Sequence, residues 1–231
     1  MKNHVPFGAA GAFLALAAMS PVRGEEQAEI AKRLGTAATT FSEIMATPDK
    51  GIPQDLLEGA HCAVIVPGVK EGAFIVGAKF GKGFVTCRKG AAGWSAPAAV
   101  RVEGGGVGFQ IGGSETDLIM LVMNERGADR LLSSEFTLGG QGQVAAGPVG
   151  RNASAKTDGA FTAEILSWSR SRGLFAGISL EGATLREDLD ANQAMYGKKL
   201  STRDIVRGNV NASPAAAPLL AALSAKSPHE K

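Results

Sequence analysis

The sequence has few of the side chains that most enzymes use for catalysis. It contains three histidines, of which His4 and His229 lie near the two ends, so that His61 stands alone in the body of the chain. Acid–base and triad chemistries need an imidazole within hydrogen-bond reach of a nucleophile, and zinc needs three or four nitrogen or sulfur ligands. The sequence therefore predicts a protein that is not an enzyme, with no catalytic residue, no metal site and no cofactor.

Aromatic side chains and net charge are also scarce. Two tryptophans and one tyrosine are too few for a platform on which sugars or bases stack. Without Lys2 and Arg23, which precede residue 25, the chain has 22 basic against 22 acidic residues, so long-range attraction to a polyanion is weak. We expect no nucleic-acid partner, and any attraction to an anionic surface must come from a local patch.

No apolar run is long enough to span a bilayer, but residues 1–24 have the pattern of a signal peptide. Lys2 gives a positive start, residues 7–19 are apolar, and small residues at 22–24 suit cleavage. A retained anchor would need a longer segment. We therefore expect export with cleavage near Glu25, and a periplasmic or outer-membrane-associated protein.

Cysteine is limited to Cys62 and Cys87, both in apolar runs that resemble strands. Export would place them in an oxidising compartment, where a disulfide can form. Two buried thiols that pack as small hydrophobic groups are an equal alternative, because pairing requires Cα atoms within about 7 Å and the sequence does not give that distance.

Glycine is abundant, with 31 residues, and it separates short apolar runs between residues 62 and 123 that predict successive antiparallel strands. Residues 117–123 are apolar enough for burial on both faces of a sheet. Apolar residues at helical spacing predict an amphipathic helix over residues 25–45. These patterns favour an α+β fold, with an antiparallel sheet that is barrel-like or two-layered and helices packed outside it.

The remainder of the chain adds one more helix and a tail. Thr184 and Glu187 have the spacing of a capping box and predict a helix that runs toward Tyr196. Residues 209–231 are rich in alanine, proline and serine and predict a flexible tail with at most a transient helix. The predicted organisation is a signal peptide over 1–24, one domain over 25–208 and a tail over 209–231.

Four short segments of the sequence stand out: GWSAP at 93–97, TDLIMLVMN at 116–124, VAAGPVGR at 144–151 and SWSRSRGLFAGISLEG at 167–182. Together they resemble the SYLF domain family, which occurs in bacterial exported proteins, yeast actin-patch adaptors and plant FYVE proteins. They appear in family order over most of residues 60–208. At residues 138–141 the sequence reads LGGQ, whereas the family has an acidic residue after Leu-Gly-Ala, so no role of that carboxylate is carried over.

The resemblance implies a non-catalytic module that binds anionic lipid at a membrane surface. Phosphoinositides are improbable ligands in a periplasm, so phosphatidylglycerol, cardiolipin or another anionic phospholipid is the expected partner. Actin binding belongs to eukaryotic relatives and is not carried over to a chain with a bacterial export signal. The alternative is a structural or envelope-assembly protein that acts through protein–protein contacts, for which the sequence names no partner.

The expected lipid contact lies around residues 170–175. Arg170 and Arg172 flank a serine just before Leu174 and Phe175, so two cations stand beside an apolar tip, and Arg151 and Lys156 in the preceding loop can join them at a phosphate. The alternative is a set of solvated charges around a buried phenylalanine. The polar face of the helix over residues 25–45 is net acidic, which favours packing on the sheet over insertion into a membrane.

Overall fold

A computed structural model describes residues 21–47, 51–73, 77–90, 93–106, 112–140, 143–149, 163–171, 174–175, 180 and 182–227. Within these ranges the chain forms six α-helices, one short 3₁₀ turn at Pro214–Ala216 and nine β-strands. The helices are α1 Pro21–Ala46, α2 Gln54–Gly59, α3 Glu125–Leu131, α4 Leu189–Tyr196, α5 Thr202–Arg207 and α6 Ala217–Lys226. The strands are β1 Cys62–Ala73, β2 Gly77–Cys87, β3 Ala98–Gly106, β4 Gly112–Val122, β5 Glu135–Thr137, β6 Val144–Ala146, β7 Ile165–Ser171, β8 Leu174–Phe175 and β9 Thr184–Glu187.

All nine strands belong to one curled, half-barrel sheet. Their order is β5-β9-β3-β2-β1-β4-β7-β6, and β8 pairs with β7. The pairings are antiparallel except that of β6 with β7, which is parallel. The predicted α+β fold with a barrel-like sheet is confirmed, and the sheet is mixed at this one edge.

The central strands are buried on both faces because apolar side chains occupy both alternating sets of positions. In β1, Ala63 and Ile65 face one core, while Cys62, Val64 and Val66 face the other. The prediction of two-sided burial over residues 117–123 is confirmed for residues 118–122, each of which has no exposed surface. A strand buried on both faces needs apolar residues without interruption, and β1 and β4 have them where they cross the middle of the sheet.

The first core lies between the sheet and α1, and we call this side of the sheet the α1 face. Helical spacing places one row of α1 side chains inward, and Leu34, Phe41 and Ile44 have no exposed surface. The predicted helix over residues 25–45 is thus confirmed, and α1 begins at Pro21, within the last residues of the predicted signal peptide, while residues 1–20 lie outside the described residues. None of the helices in the described ranges is long and apolar enough to cross a membrane.

The second core fills the opposite, inner face of the sheet. Side chains from α3, α5 and β5 close it, among them Leu131, Ile205 and Phe136. Asn124 caps α3 by accepting a hydrogen bond from the backbone N–H of Gly127 at 2.7 Å, as its position before the helix predicts.

One of the predicted helix starts is wrong. Thr184 and Glu187 lie in strand β9, which pairs with β3 and β5. Helix α4 begins after them, with the side chain of Asp188 accepting from the backbone N–H of Ala191. The capping-box spacing of Thr184 and Glu187 does not mark a helix start here, because both residues lie in a strand that pairs with β3.

A bulge interrupts β1 at Pro67 and Gly68. Val66 pairs with Leu118 and Val69 pairs with Thr116, so two residues of β1 stand opposite the single residue Asp117. Gly68 has a φ of 60°, a conformation that glycine adopts at little cost. The extra residue reverses the alternation, and every β1 residue after it faces the side opposite to the one that uninterrupted pairing would give it.

Cys62 and Cys87 are joined by a disulfide across β1 and β2, where they are directly paired. Both are buried in the inner core. Of the two alternatives that the sequence leaves open, the structure adopts the disulfide. It encloses the β1–β2 hairpin and restricts the unfolded chain.

Reduction is expected to lower the free energy of unfolding by about 3 kcal/mol, the value typical of a loop of this length. Denaturant unfolding with and without a thiol reductant measures it. A Cys62→Ala/Cys87→Ala variant is the control, because reductant should leave its stability unchanged. Equal stability of the oxidised and reduced wild-type protein would contradict the prediction.

The prediction of a flexible tail over residues 209–231 is wrong for much of that segment. After the 3₁₀ turn, α6 packs against α1, and Leu219 and Leu223 have no exposed surface. The guanidinium of Arg88 donates hydrogen bonds to the backbone O of Leu57 and to the hydroxyl of Ser227, fixing the end of α6 beside α2. The apolar residues, rather than the alanine and proline content, determine the structure of this segment.

Leu223→Ala is expected to lower the free energy of unfolding by about 2–4 kcal/mol, because it leaves a cavity between α6 and α1. The matched variant Leu220→Ala removes a half-buried side chain one turn away and should cost less. Urea denaturation compares the two variants. If both are neutral, α6 does not pack as described.

Candidate functional site

A cleft of about 570 Å³ lies between α1 and the α1 face of the sheet, at the end of the sheet where β1 and β3 end and β2 and β4 begin. Helix α1 forms one wall, and β1, β2 and β4 form the other, with the bulge of β1 between them. Its lining consists of Glu29, Lys32, Arg33, Thr36, Pro67, Gly68, Lys70, Phe80, Gly81, Lys82, Glu115 and Asp117.

The helical wall comes from a single edge of α1. Glu29, Lys32, Arg33 and Thr36 are spaced by three and four residues, which places them on one side of a helix. Buried neighbours such as Leu34 hold the helix on the sheet, so this polar edge faces the cleft. One wall of the site is therefore part of the polar face that the sequence predicts for this helix.

The strand wall depends on the bulge. Lys70 pairs with Phe80 on β2 and with Glu115 on β4, so these three side chains form one row across the sheet. Gly81 stands where a Cβ would lie 2.9 Å from side-chain carbons of both Val66 and Val69. Close approach of β1 and β2 at the bulge thus requires glycine there.

Most charges around the cleft are already paired. Arg33 contacts Glu29 at 2.5 Å, and Lys82 contacts the buried Asp188 at 3.4 Å. Asp117 accepts from the backbone N–H of Gly68 at 3.0 Å. Each of these groups therefore already has a partner within the protein.

Three charged side chains at the cleft remain without an ion pair in the described part of the chain: Lys32, Lys70 and Glu115. All three are exposed. Beside them Phe80 is 47% exposed, a high value for a large apolar side chain. The cleft therefore presents two ammonium groups, one carboxylate and one aromatic ring to solvent.

Arg170, which the sequence places in the lipid contact, lies in β7 with its guanidinium held by two carboxylates. It donates to Glu43 at 2.5 Å and to Asp117 at 3.1 Å. Burial by itself lowers the pKa of Arg170, but the hydrogen bonds to Glu43 and Asp117 outweigh it and the pKa is raised. Its charge is therefore permanent and largely compensated.

The other residues of the expected contact are only partly within the described ranges. Arg151, Lys156 and Arg172 lie outside them, as do the side chains of Leu174 and Phe175. The backbone of β8 pairs Leu174 with Ser171 and Phe175 with Arg170. Ser171 donates to the backbone O of Glu115 at 3.1 Å, so the β7–β8 pair adjoins the cleft.

Sequence reasoning missed Lys32, Lys70, Lys82 and Phe80. Pro67-Gly68 after the apolar run of β1 was a signal, since such a pair in a strand indicates a bulge, and bulges occur beside functional sites. Helical spacing also places Lys32 on the polar side of α1. The pairing that leaves Lys32 and Lys70 without a carboxylate depends on tertiary contacts and has no signal in the sequence.

The described residues contain no group of three or more His, Cys, Asp or Glu side chains that could hold a metal ion. His61, the histidine in the body of the chain, contacts Glu125 at 3.0 Å on the surface. The charged side chains and the aromatic ring of Phe80 in the cleft lining offer ionic and apolar contacts.

Arg170→Gln is expected to lower the free energy of unfolding by about 1–3 kcal/mol, because it leaves the half-buried Asp117 without its cation. The matched variant is Arg186→Gln, whose side chain is 40% exposed in its own ion pairs and should cost less than about 1 kcal/mol. Urea denaturation measures both. Equal effects would show that Arg170 has no special structural role.

Comparison with known proteins identifies a family that the chain matches. Residues 103–226 match the family model described as "Ysc84: Las17-binding protein actin regulator", and the matched range reaches the end of α6. SH3 domain-containing protein PJ696.02 of Schizosaccharomyces pombe is 36% identical over 201 residues, covering 84% of this chain and 46% of that protein.

Two further relatives show the same level of similarity. SH3 domain-containing YSC84-like protein 1 of Homo sapiens is 36% identical over 182 residues, covering 78% of this chain and 53% of that protein. LAS seventeen-binding protein 3 of Saccharomyces cerevisiae is 34% identical over 182 residues, covering 77% of this chain and 39% of that protein. The chain spans about half the length, or less, of these curated relatives.

Proposed function

Because the chain belongs to the Ysc84, or SYLF, domain family, we propose that it is a non-catalytic module that contacts anionic phospholipid at a bacterial envelope membrane. The names of the relatives describe binding and SH3 domains rather than a reaction. The scarcity of histidine in the sequence agrees with a role in binding.

The observation that carries the proposal is the exposure of Lys32, Lys70 and Phe80 at one end of the sheet. A lysine near an anionic membrane surface contributes about 1 kcal/mol to binding. An exposed aromatic ring favours the boundary between headgroups and acyl chains, since one side of it can remain in apolar surroundings. Two cations beside such a ring have the composition of a membrane-contact surface.

The residues expected from the sequence extend this surface. Arg151, Lys156 and Arg172 are proposed to contact headgroups, and Leu174 and Phe175 to contact the apolar layer. Arg170 contributes less than the sequence alone indicates, because Glu43 and Asp117 already compensate its charge. The adjoining positions of the β7–β8 pair and the cleft support a single contact surface at this end of the sheet.

Export remains part of the proposal. Residues 1–24 have the pattern of a cleaved signal peptide, and a disulfide between Cys62 and Cys87 persists in an oxidising compartment such as the periplasm. We therefore propose a periplasmic or outer-membrane-associated protein. The formal balance of acidic and basic residues after residue 24 makes the attraction to a membrane local and sensitive to salt.

The purified protein is expected to co-sediment with phosphatidylglycerol vesicles more than with phosphatidylcholine vesicles at low salt. At about 1 M salt, where the Debye length is about 3 Å, the difference should disappear. Lys32→Glu/Lys70→Glu should weaken the sedimentation more than the control Lys198→Glu/Lys226→Glu, which changes two exposed lysines away from the cleft. The absence of any preference for anionic vesicles at low salt would remove the proposal.

The second candidate is a structural or envelope-assembly protein that binds a protein partner. The name of LAS seventeen-binding protein 3 favours this class of function. Deletion of residues 209–231 cannot test it, because the loss of α6 exposes apolar surface of α1. Specific capture of one envelope protein by the wild-type chain, without any sedimentation on vesicles, would favour it over lipid binding.

A further inference from the structure

The charges of the cleft suit a ligand that carries both signs. After the pairs Arg33–Glu29, Lys82–Asp188 and Arg170–Asp117 are formed, the cleft retains two cations, Lys32 and Lys70, and the carboxylate of Glu115. A purely anionic ligand would satisfy the lysines and would be repelled by Glu115. A ligand that is both anionic and cationic satisfies all three.

We propose that the cleft binds a phosphoethanolamine group, with Lys32 and Lys70 at the phosphate and Glu115 at the ammonium. This inference rests on the proposed function, since phosphatidylethanolamine is the membrane lipid that presents such a group. It adds to that function a specific site for a zwitterionic headgroup, whereas the general attraction is to anionic lipid.

The positions of the three residues support this assignment. Lys70 and Glu115 stand directly opposite each other on β1 and β4, where the side chains of paired residues begin about 5 Å apart. No ion pair joins them in the described part of the chain. A ligand with adjacent opposite charges can therefore bridge them, while Lys32 reaches the same space from α1.

The cleft favours ethanolamine over choline. A primary ammonium has N–H groups that donate to a carboxylate, and such charge-assisted hydrogen bonds are about twice as strong as neutral ones. A quaternary ammonium has no N–H to donate and is usually bound by a cage of several aromatic rings. Among the described lining residues Phe80 is the one aromatic ring, and it can contact the glycerol and acyl part of the lipid instead.

Isothermal titration of the purified protein with soluble headgroups tests the chemistry of the cleft without a membrane. Glycerophosphoethanolamine is expected to bind about tenfold more tightly than glycerophosphocholine, which corresponds to about 1.4 kcal/mol. Glu115→Gln should abolish this difference, and Lys32→Met/Lys70→Met should weaken the binding of both compounds. Equal affinity of the wild-type protein for the two, or no binding of either, would overturn the proposal.

Matched variants separate recognition from folding. Glu58→Gln changes an exposed acid on α2, and Lys198→Met/Lys226→Met changes two exposed lysines outside the cleft. Both should bind glycerophosphoethanolamine as the wild-type protein does. Each variant is compared by its circular dichroism and unfolding midpoint, and a loss of preference in Glu58→Gln equal to that in Glu115→Gln would also overturn the assignment.

Neutral vesicles then test whether the group is presented by a lipid. The protein is expected to sediment more with phosphatidylcholine vesicles that contain phosphatidylethanolamine than with pure phosphatidylcholine vesicles. Because both are without net charge, this comparison is independent of the one between phosphatidylglycerol and phosphatidylcholine. Binding of the soluble headgroup without any effect of phosphatidylethanolamine in vesicles would contradict the proposal that a membrane lipid presents the group.

Discussion

The structure depends on the burial of its central strands on both faces. Because β1 and β4 pack against α1 on one side and against the inner core on the other, a charged side chain in their middle would lie in an apolar environment at a high cost in free energy. Charged residues can occur in these strands only where the strands extend beyond the two cores. That constraint concentrates polar chemistry at one end of the sheet and explains why the cleft lies there.

The bulge at Pro67 and Gly68 determines which charges reach the α1 face. With uninterrupted pairing Lys70 would share the parity of Val66 and face the inner core, whereas the extra residue places it in a row with Phe80 and Glu115. Val69 takes the inner position instead and is fully buried. A single inserted residue therefore preserves the core and creates the cleft at the same place, and Gly81 on the neighbouring strand accommodates it.

The features that the sequence predicted well are those determined by local apolar periodicity. The α1 helix and the two-sided burial of β4 follow from spacings within one segment. Strand β9 was missed because Thr184–Glu187 become a strand through pairing with β3 and β5, which no local pattern indicates. Helix α6 was missed for another reason: Leu219 and Leu223 have helical spacing, but the alanine and proline around them indicated disorder.

The candidate site was less predictable than the fold because it depends on which charged side chains are left without a partner. Arg170 was identified from the sequence, and the structure pairs it with two acids from distant segments, Glu43 and Asp117. Lys32 and Lys70 were not identified, and they are without such partners in the described ranges. Which cation is available to a ligand is decided by the tertiary contacts of its neighbours, and a chain with nearly equal numbers of acids and bases gives no indication of it. Because long-range attraction is weak for a chain so nearly neutral, selectivity for a ligand depends on contact with the few charges that the fold leaves unpaired.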